Sequence, residues 1–154
     1  MGLFIDTFFN KIDRKGRVSV PALYRSILAS QSFQGIIAFP SFKHPAIVCA
    51  GIDWFEKLNT NLTHVNLFSD AHDDFTATLF ADAKQLSFDS EGRIIIPESL
   101  IQHALLKDVF AFVGRGQIFE IWQPEILEKH KSQARKRALD KGHTLTQSFE
   151  QDKK

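Results

Sequence analysis

Residues 12–21 read "IDRKGRVSVP", and within them Val18 and Val20 alternate with Arg17 and Ser19. That period of two is the mark of a strand with one apolar and one polar face. The pattern returns at residues 88–97 as "FDSEGRIIIP". At an offset of 76, Ile12 meets Phe88, Asp13 meets Asp89, Gly16 meets Gly92 and Arg17 meets Arg93, and Val18, Val20 and Pro21 meet Ile94, Ile96 and Pro97. Seven matches in ten positions identify an internal repeat. After each copy a proline opens a short amphipathic stretch, residues 22–29 and 98–106, where its fixed φ and missing N–H suit the first turn of a helix. Two apolar runs then follow in each half, "GIIAF" and "AIVCAGI" in the first, "VFAFVG" and "IFEIW" in the second. Those runs are strand signals. The unit is strand, turn, strand, helix, strand, strand, used twice.

Arg14-Lys15-Gly16 sits between two strands as a three-residue hairpin loop, a type I turn followed by a left-handed residue, which glycine supplies without a Cβ penalty. Gly16 and Gly92 are therefore turn requirements. Asp13 and Arg17 flank the loop and can face each other across it, which would hold the guanidinium in place. Between the copies, residues 53–62 and 70–83 read as helices with acids at their starts, where the helix dipole favours them. A last helix runs from Pro124 to about Lys141. The polar tail beyond Gly142 is expected to be mobile. Each half alone has about four short strands, marginal for burial, so the two halves are expected to interleave into one barrel-like core.

Composition narrows the function. Of 154 residues 44% are hydrophobic, with 15 Phe, which is material for a sizeable core. The single Cys49 excludes a disulfide framework within the chain and suits a reducing compartment. No apolar run approaches a membrane span, and Asp6 interrupts the N-terminus before a signal-peptide core can form. A soluble cytoplasmic protein is expected. Net charge is only +1, but it is segregated: residues 11–25 sum to +4, 53–91 to −6 and 129–141 to +5. A polyanion is thus steered to the ends of the chain. The basic cluster Lys131, Arg135, Lys136 and Arg137 reads as an exposed helix face. Trp54 and Trp122 suit the core or a contact between subunits.

Enzyme chemistry finds little support. None of the six histidines pairs at i, i+4, and Cys49 has no partner thiol, so no metal site is expected. Phosphate-loop, nucleophile-elbow and dinucleotide fingerprints are missing from the sequence, and "GRGQ" at 114–117 reads as another turn. Asp73 and Asp74 point about 100° apart on a helix, poorly placed to grip one ion. No enzyme activity, cofactor or small-molecule substrate is expected.

The two Asp-x-x-Gly-Arg motifs at 13–17 and 89–93, followed by Val-Ser-Val-Pro and Ile-Ile-Ile-Pro, and "GRGQIFEIW" at 114–122 together resemble the MraZ family of bacterial transcriptional regulators. The likeness runs from about Phe4 to Glu128. It implies an α+β chain built as a tandem swapped-hairpin SpoVT/AbrB-like β-barrel with flanking helices and a pseudo-two-fold axis. It also implies ring-shaped homo-oligomers that bind short direct repeats of double-stranded DNA in the promoter of their own operon, in the division and cell-wall gene cluster. Residues 1–57 form the first unit, 58–83 a helical spacer, 84–128 the second unit and 129–154 the basic helix end and tail. The protein is placed in the cytoplasm with the nucleoid. In the resemblance the Asp-x-x-x-Arg motif marks the DNA-contacting loop, here Asp13 and Arg17. Arg14 and Lys15 are assigned to phosphate and Arg17 to a base edge, with Arg93 a further candidate and Asp13, Gly16, Asp89 and Gly92 shaping the turns. Arg17 can also simply close its hairpin as a salt bridge. Because Glu91 stands where the first loop has Lys15, DNA binding is placed mainly on the first hairpin. The alternative is an antitoxin-like module whose surface binds a protein and whose DNA contact is secondary.

Overall fold

The computed structural model describes residues 2–64 and 66–142, which fall into two compact units divided between Gln123 and Pro124. The larger unit holds eight strands: β1 (Thr7–Lys11), β2 (Arg17–Ser19), β3 (Gly35–Pro40), β4 (Ala46–Ala50), β5 (Lys84–Ser87), β6 (Arg93–Ile95), β7 (Val109–Gly114) and β8 (Phe119–Trp122). Its helices are α1 (Ala22–Leu28), α2 (Ile52–Leu62), α3 (Asp70–Phe75) and α4 (Glu98–His103). The smaller unit is α5 (Pro124–Asp140), on which Arg135, Lys136 and Arg137 are exposed and Lys131 is half-buried. The tail expected beyond Gly142 lies outside the described residues.

Six strands make one antiparallel sheet in the order β1-β7-β8-β4-β3-β5, and β2 pairs with β6 as a separate two-stranded ribbon. The strands of the two halves therefore pair with each other. In the ribbon Val18 lies opposite Ile94, which is its own counterpart in the repeat. Ile47 pairs with Ile121 and Cys49 with Phe119 where β4 meets β8. The architecture is α+β, with an antiparallel sheet and flanking helices. A closed barrel is not what the pairing gives. The sheet ends at β1 and β5, and among the described residues no ladder joins those edges. The cause lies in the turns: β2 and β6 leave β1 and β5 after Asp13 and Asp89 and pair with one another instead.

Burial follows from the sequence patterns. Val18, Val20, Ile94 and Ile96 are the apolar half of the period-two alternation, and all four enter the main core with Phe110, Phe112 and Phe119. Tyr24 sits among these rings, 4.8 Å from Phe119 and 5.3 Å edge-on to Phe4, and its hydroxyl donates to Asp6 O at 2.7 Å. Burying the ring without that bond would strand a polar group. Strand β4, "AIVCA", is buried at every position because both of its faces are covered. Ile47 and Cys49 face the main core, whereas Val48 joins a second cluster with Phe39, Leu62 and Leu79. Trp122 is fully buried, and Trp54 stacks on Phe39 at 6.3 Å.

Two elements depart from expectation. The stretch 98–106 is helical only to His103, because Leu105 takes φ 55° and the Leu106 N–H returns to Ile101 O in a C-terminal capping bond. In the expected helix over 70–83, Ser69 caps α3 through the His72 N–H, but a π-helical turn follows at Thr76–Phe80. Thr76 and Thr78 donate back to the carbonyls of Asp73 and Asp74, competition of the kind that bends helices. Glu120, flanked by apolar residues in β8, is 5% exposed, and its Oε1 accepts from Trp122 Nε1 and Arg115 Nη1, both at 3.0 Å.

Candidate nucleic-acid interface

Both repeat turns close in the same way. Asp13 N–H donates to Arg17 O at 2.9 Å, and Gly16 N–H to Asp13 O at 3.1 Å, with Gly16 at φ 82°. Asp89 N–H donates to Arg93 O at 2.9 Å, Gly92 N–H to Asp89 O at 3.1 Å, and Gly92 has φ 75°. The three-residue loop with a left-handed glycine is therefore present twice. What differs from an ordinary hairpin is that the ladder stops there, since β1 goes on to pair with β7 and β2 with β6.

The aspartates shape the loops. Asp13 Oδ1 accepts from the backbone N–H groups of Lys15 (2.9 Å) and Arg17 (2.8 Å), and its Oδ2 accepts from Arg17 Nε at 2.7 Å. Asp89 repeats this with Glu91, Arg93 and Arg93 Nε, at 2.9, 2.9 and 2.8 Å. The Arg17 backbone N–H chiefly holds the Asp13 carboxyl below its ordinary range, and the Arg93 backbone N–H does the same for Asp89. In return the Asp89 carboxylate raises the Arg93 guanidinium further above its usual value. Each arginine is gripped at Nε alone by its own aspartate. Each guanidinium held this way still carries Nη–H donors, the groups that bond a phosphate or a base edge, and on Arg93 one of them also meets Glu91.

The two turns lie side by side. Arg93 Nη1 is 3.9 Å from Asp13 Oδ2 and 3.3 Å from Glu91 Oε2, and Val20 N–H donates to Gly92 O at 3.2 Å. The ribbon's inner residues Val18 and Ile94 are buried, while Arg17, Ser19, Arg93 and Ile95 face outward. Arg17 and Arg93 line one cleft together with Gln85, Ser87 and Ile95. Arg14 and Lys15 are exposed at the tip of the first turn. A separate cavity of about 210 Å³, lined by Phe4, Gln31, Asp53, Trp54 and Lys57 among others, includes none of the turn residues.

The first turn holds Asp13, Arg14, Lys15, Gly16 and Arg17, and the second turn, from which sequence reasoning took Arg93 as a further candidate contact, lies beside it. The chain puts Arg93 in the same cleft as Arg17, and it turns Glu91 toward Arg93. Arg25 donates from Nε to Val20 O at 3.0 Å and lies over Gly92. Gln85, Ser87 and Ile95 were not singled out. The only signal for Ile95 was an apolar residue at the polar step of an alternating strand.

Residues 79–149 match the family described as "MraZ protein, putative antitoxin-like". A relative from Rickettsia bellii (strain OSU 85-389) is 47% identical over 146 residues, covering 94% of this chain and 97% of the relative. Relatives from Rickettsia canadensis (strain McKiel) and Rickettsia akari (strain Hartford) are 45% and 43% identical over 145 residues with the same coverage. All three carry the name "Transcriptional regulator MraZ". The chain belongs to the MraZ family.

Proposed function

We propose that this protein is a sequence-specific DNA-binding regulator that uses the two Asp-x-x-x-Arg turns and the ribbon between them as one surface. The observation that carries the reading is the placement of Arg17 and Arg93 in a single cleft, each fixed at Nε by its own aspartate. Arg14 and Lys15 supply phosphate contacts, and Arg17 is the foremost reader of a base edge because a guanidinium bonds O6 and N7 of guanine together. The pairing of β2 with β6 supports the swapped-hairpin, pseudo-two-fold arrangement of SpoVT/AbrB-like proteins. The protein works without a cofactor, in the cytoplasm with the nucleoid.

One such surface offers few contacts, so a single site should bind weakly. A ring of copies on direct repeats in the protein's own promoter, ahead of the division and cell-wall genes, overcomes this. Once one subunit is seated, its neighbour meets the next site at high effective concentration, and avidity gains of about 10² to 10⁴ follow. Repeats about 10 bp apart lie on one face of the duplex. The test is affinity for upstream DNA carrying one repeat, three in-phase repeats, or three repeats with about 5 bp inserted between neighbours. Tight binding to the in-phase set alone supports the reading, and equal affinity for all three refutes it. The matched family's antitoxin-like description favours a second reading, a protein-binding module with secondary DNA contact. Specific binding to the upstream fragment in the presence of excess random duplex decides against it.

A further inference from the structure

Resting on the DNA-binding reading above, we propose that Ile95 is a specificity residue that reads the 5-methyl group of a thymine. The ribbon β2–β6 is two strands wide, the width of β-structure that a major groove admits. Its outward face carries four side chains, with Arg17 opposite Ile95 and Ser19 opposite Arg93. The arginines thus stand diagonally, and the remaining corners hold a serine and an isoleucine. Ile95 occupies the position in the second repeat that Ser19 occupies in the first.

The isoleucine has no work in the core. It is 60% exposed, whereas its neighbours Ile94 and Ile96 are 1% and 4% exposed and fill the interior. It lies in the cleft with both guanidiniums, Gln85 and Ser87, and a base edge offers polar partners to those groups and an apolar one to Ile95. The thymine methyl is the one apolar group a base pair presents in the major groove, while a serine hydroxyl accepts or donates to several base atoms. The two corners of the ribbon therefore read different bases, and the protein engages its site with a fixed polarity. Ordinary strand propensity also tolerates an exposed β-branched residue, so the test must respond to the methyl itself.

The upstream fragment is prepared with each thymine in turn replaced by deoxyuridine, which removes only the methyl, and binding is followed by fluorescence anisotropy. The wild-type protein is expected to lose about fourfold in affinity at one position per repeat, the value of one methyl taken out of water. Ile95→Ser should be indifferent to deoxyuridine there, and Ile95→Val should keep part of the sensitivity. Both variants should elute like the wild type and bind random duplex equally well. Specific wild-type binding that no deoxyuridine weakens, or an Ile95→Ser variant that keeps the full loss, overturns the inference and leaves the DNA-binding reading standing. A changed elution volume for both variants overturns it by placing Ile95 between copies. If the wild-type protein does not prefer the fragment to random duplex, the DNA-binding reading itself has failed.

Discussion

Gly16 and Gly92 close equivalent turns with nearly equal φ, so backbone strain alone predicts that alanine at either position costs the same. A left-handed conformation costs an L-residue about 1–2 kcal/mol. The surroundings differ, however. A Cβ on Gly16 would meet nothing within 4 Å, whereas one on Gly92 would stand 2.5 Å from Arg25 Cδ and Nη1 and 2.7 Å from Cζ. Arg25 would have to move away and would give up its 3.0 Å bond to Val20 O, a further cost of about 1 kcal/mol. Gly16→Ala should therefore lower stability by about 1–2 kcal/mol and Gly92→Ala by about 2–3 kcal/mol. Urea midpoints at one fixed protein concentration, with unchanged slopes, measure the difference. The double variant Arg25→Ala/Gly92→Ala makes the reasoning sharper, because removing Arg25 first should erase the extra cost at Gly92 and leave only strain. Equal losses at the two glycines, or strict additivity in the double variant, would refute the proposed coupling between Arg25 and the second turn.

Two further outcomes follow from the carboxylates. Because Asp13 and Asp89 have pKa values lowered by their turns' N–H donors, their contribution is fully present above the ordinary carboxylate value and is lost as pH falls through the lowered one. Stability of the wild-type protein should accordingly drop below about pH 4, and Asp13→Asn/Asp89→Asn should flatten that limb; an unchanged acid limb in chemical denaturation would contradict the assignment. Glu91→Gln frees Arg93 Nη1 from its 3.3 Å acidic partner and should strengthen binding to random duplex and steepen its salt dependence by about one counterion, whereas an identical salt slope would place the second turn away from DNA.

The turns were legible in the sequence because their determinants are local. A glycine at the left-handed position, an aspartate four residues before an arginine and a proline opening the next helix all act within ten residues. The interleaving of the halves was legible as a need for burial, but the partner of each strand was not. Nothing in "RVS" says that it pairs with "RII" rather than with β1, since both choices keep Val18 on the apolar face. Glu120 was hidden for a related reason: alternation within β8 assigns it a face, but only the long-range fold covers that face, after which Arg115, five residues away across the β7–β8 turn, pairs with it. The cleft's composition depends on the same pairing. Arg93 joins Arg17 across 76 residues of chain because β6 lies beside β2.

The central claim is that the cleft between the two turns is where DNA binds, and Arg17→Ala tests it most directly. The side chain lies on the outer face of the ribbon, 29% exposed, so its removal should leave elution unchanged and lower stability by only about 0–1 kcal/mol, the value of a surface ion pair. Affinity for the upstream fragment should fall about 5- to 150-fold per engaged subunit, the value of one bidentate base contact. Random duplex should lose far less, because Arg14 and Lys15 remain to meet phosphate. An Arg17→Ala protein that folds and assembles normally and still binds its upstream DNA with wild-type affinity would contradict the account, leaving Arg17 as no more than the salt bridge that closes its turn.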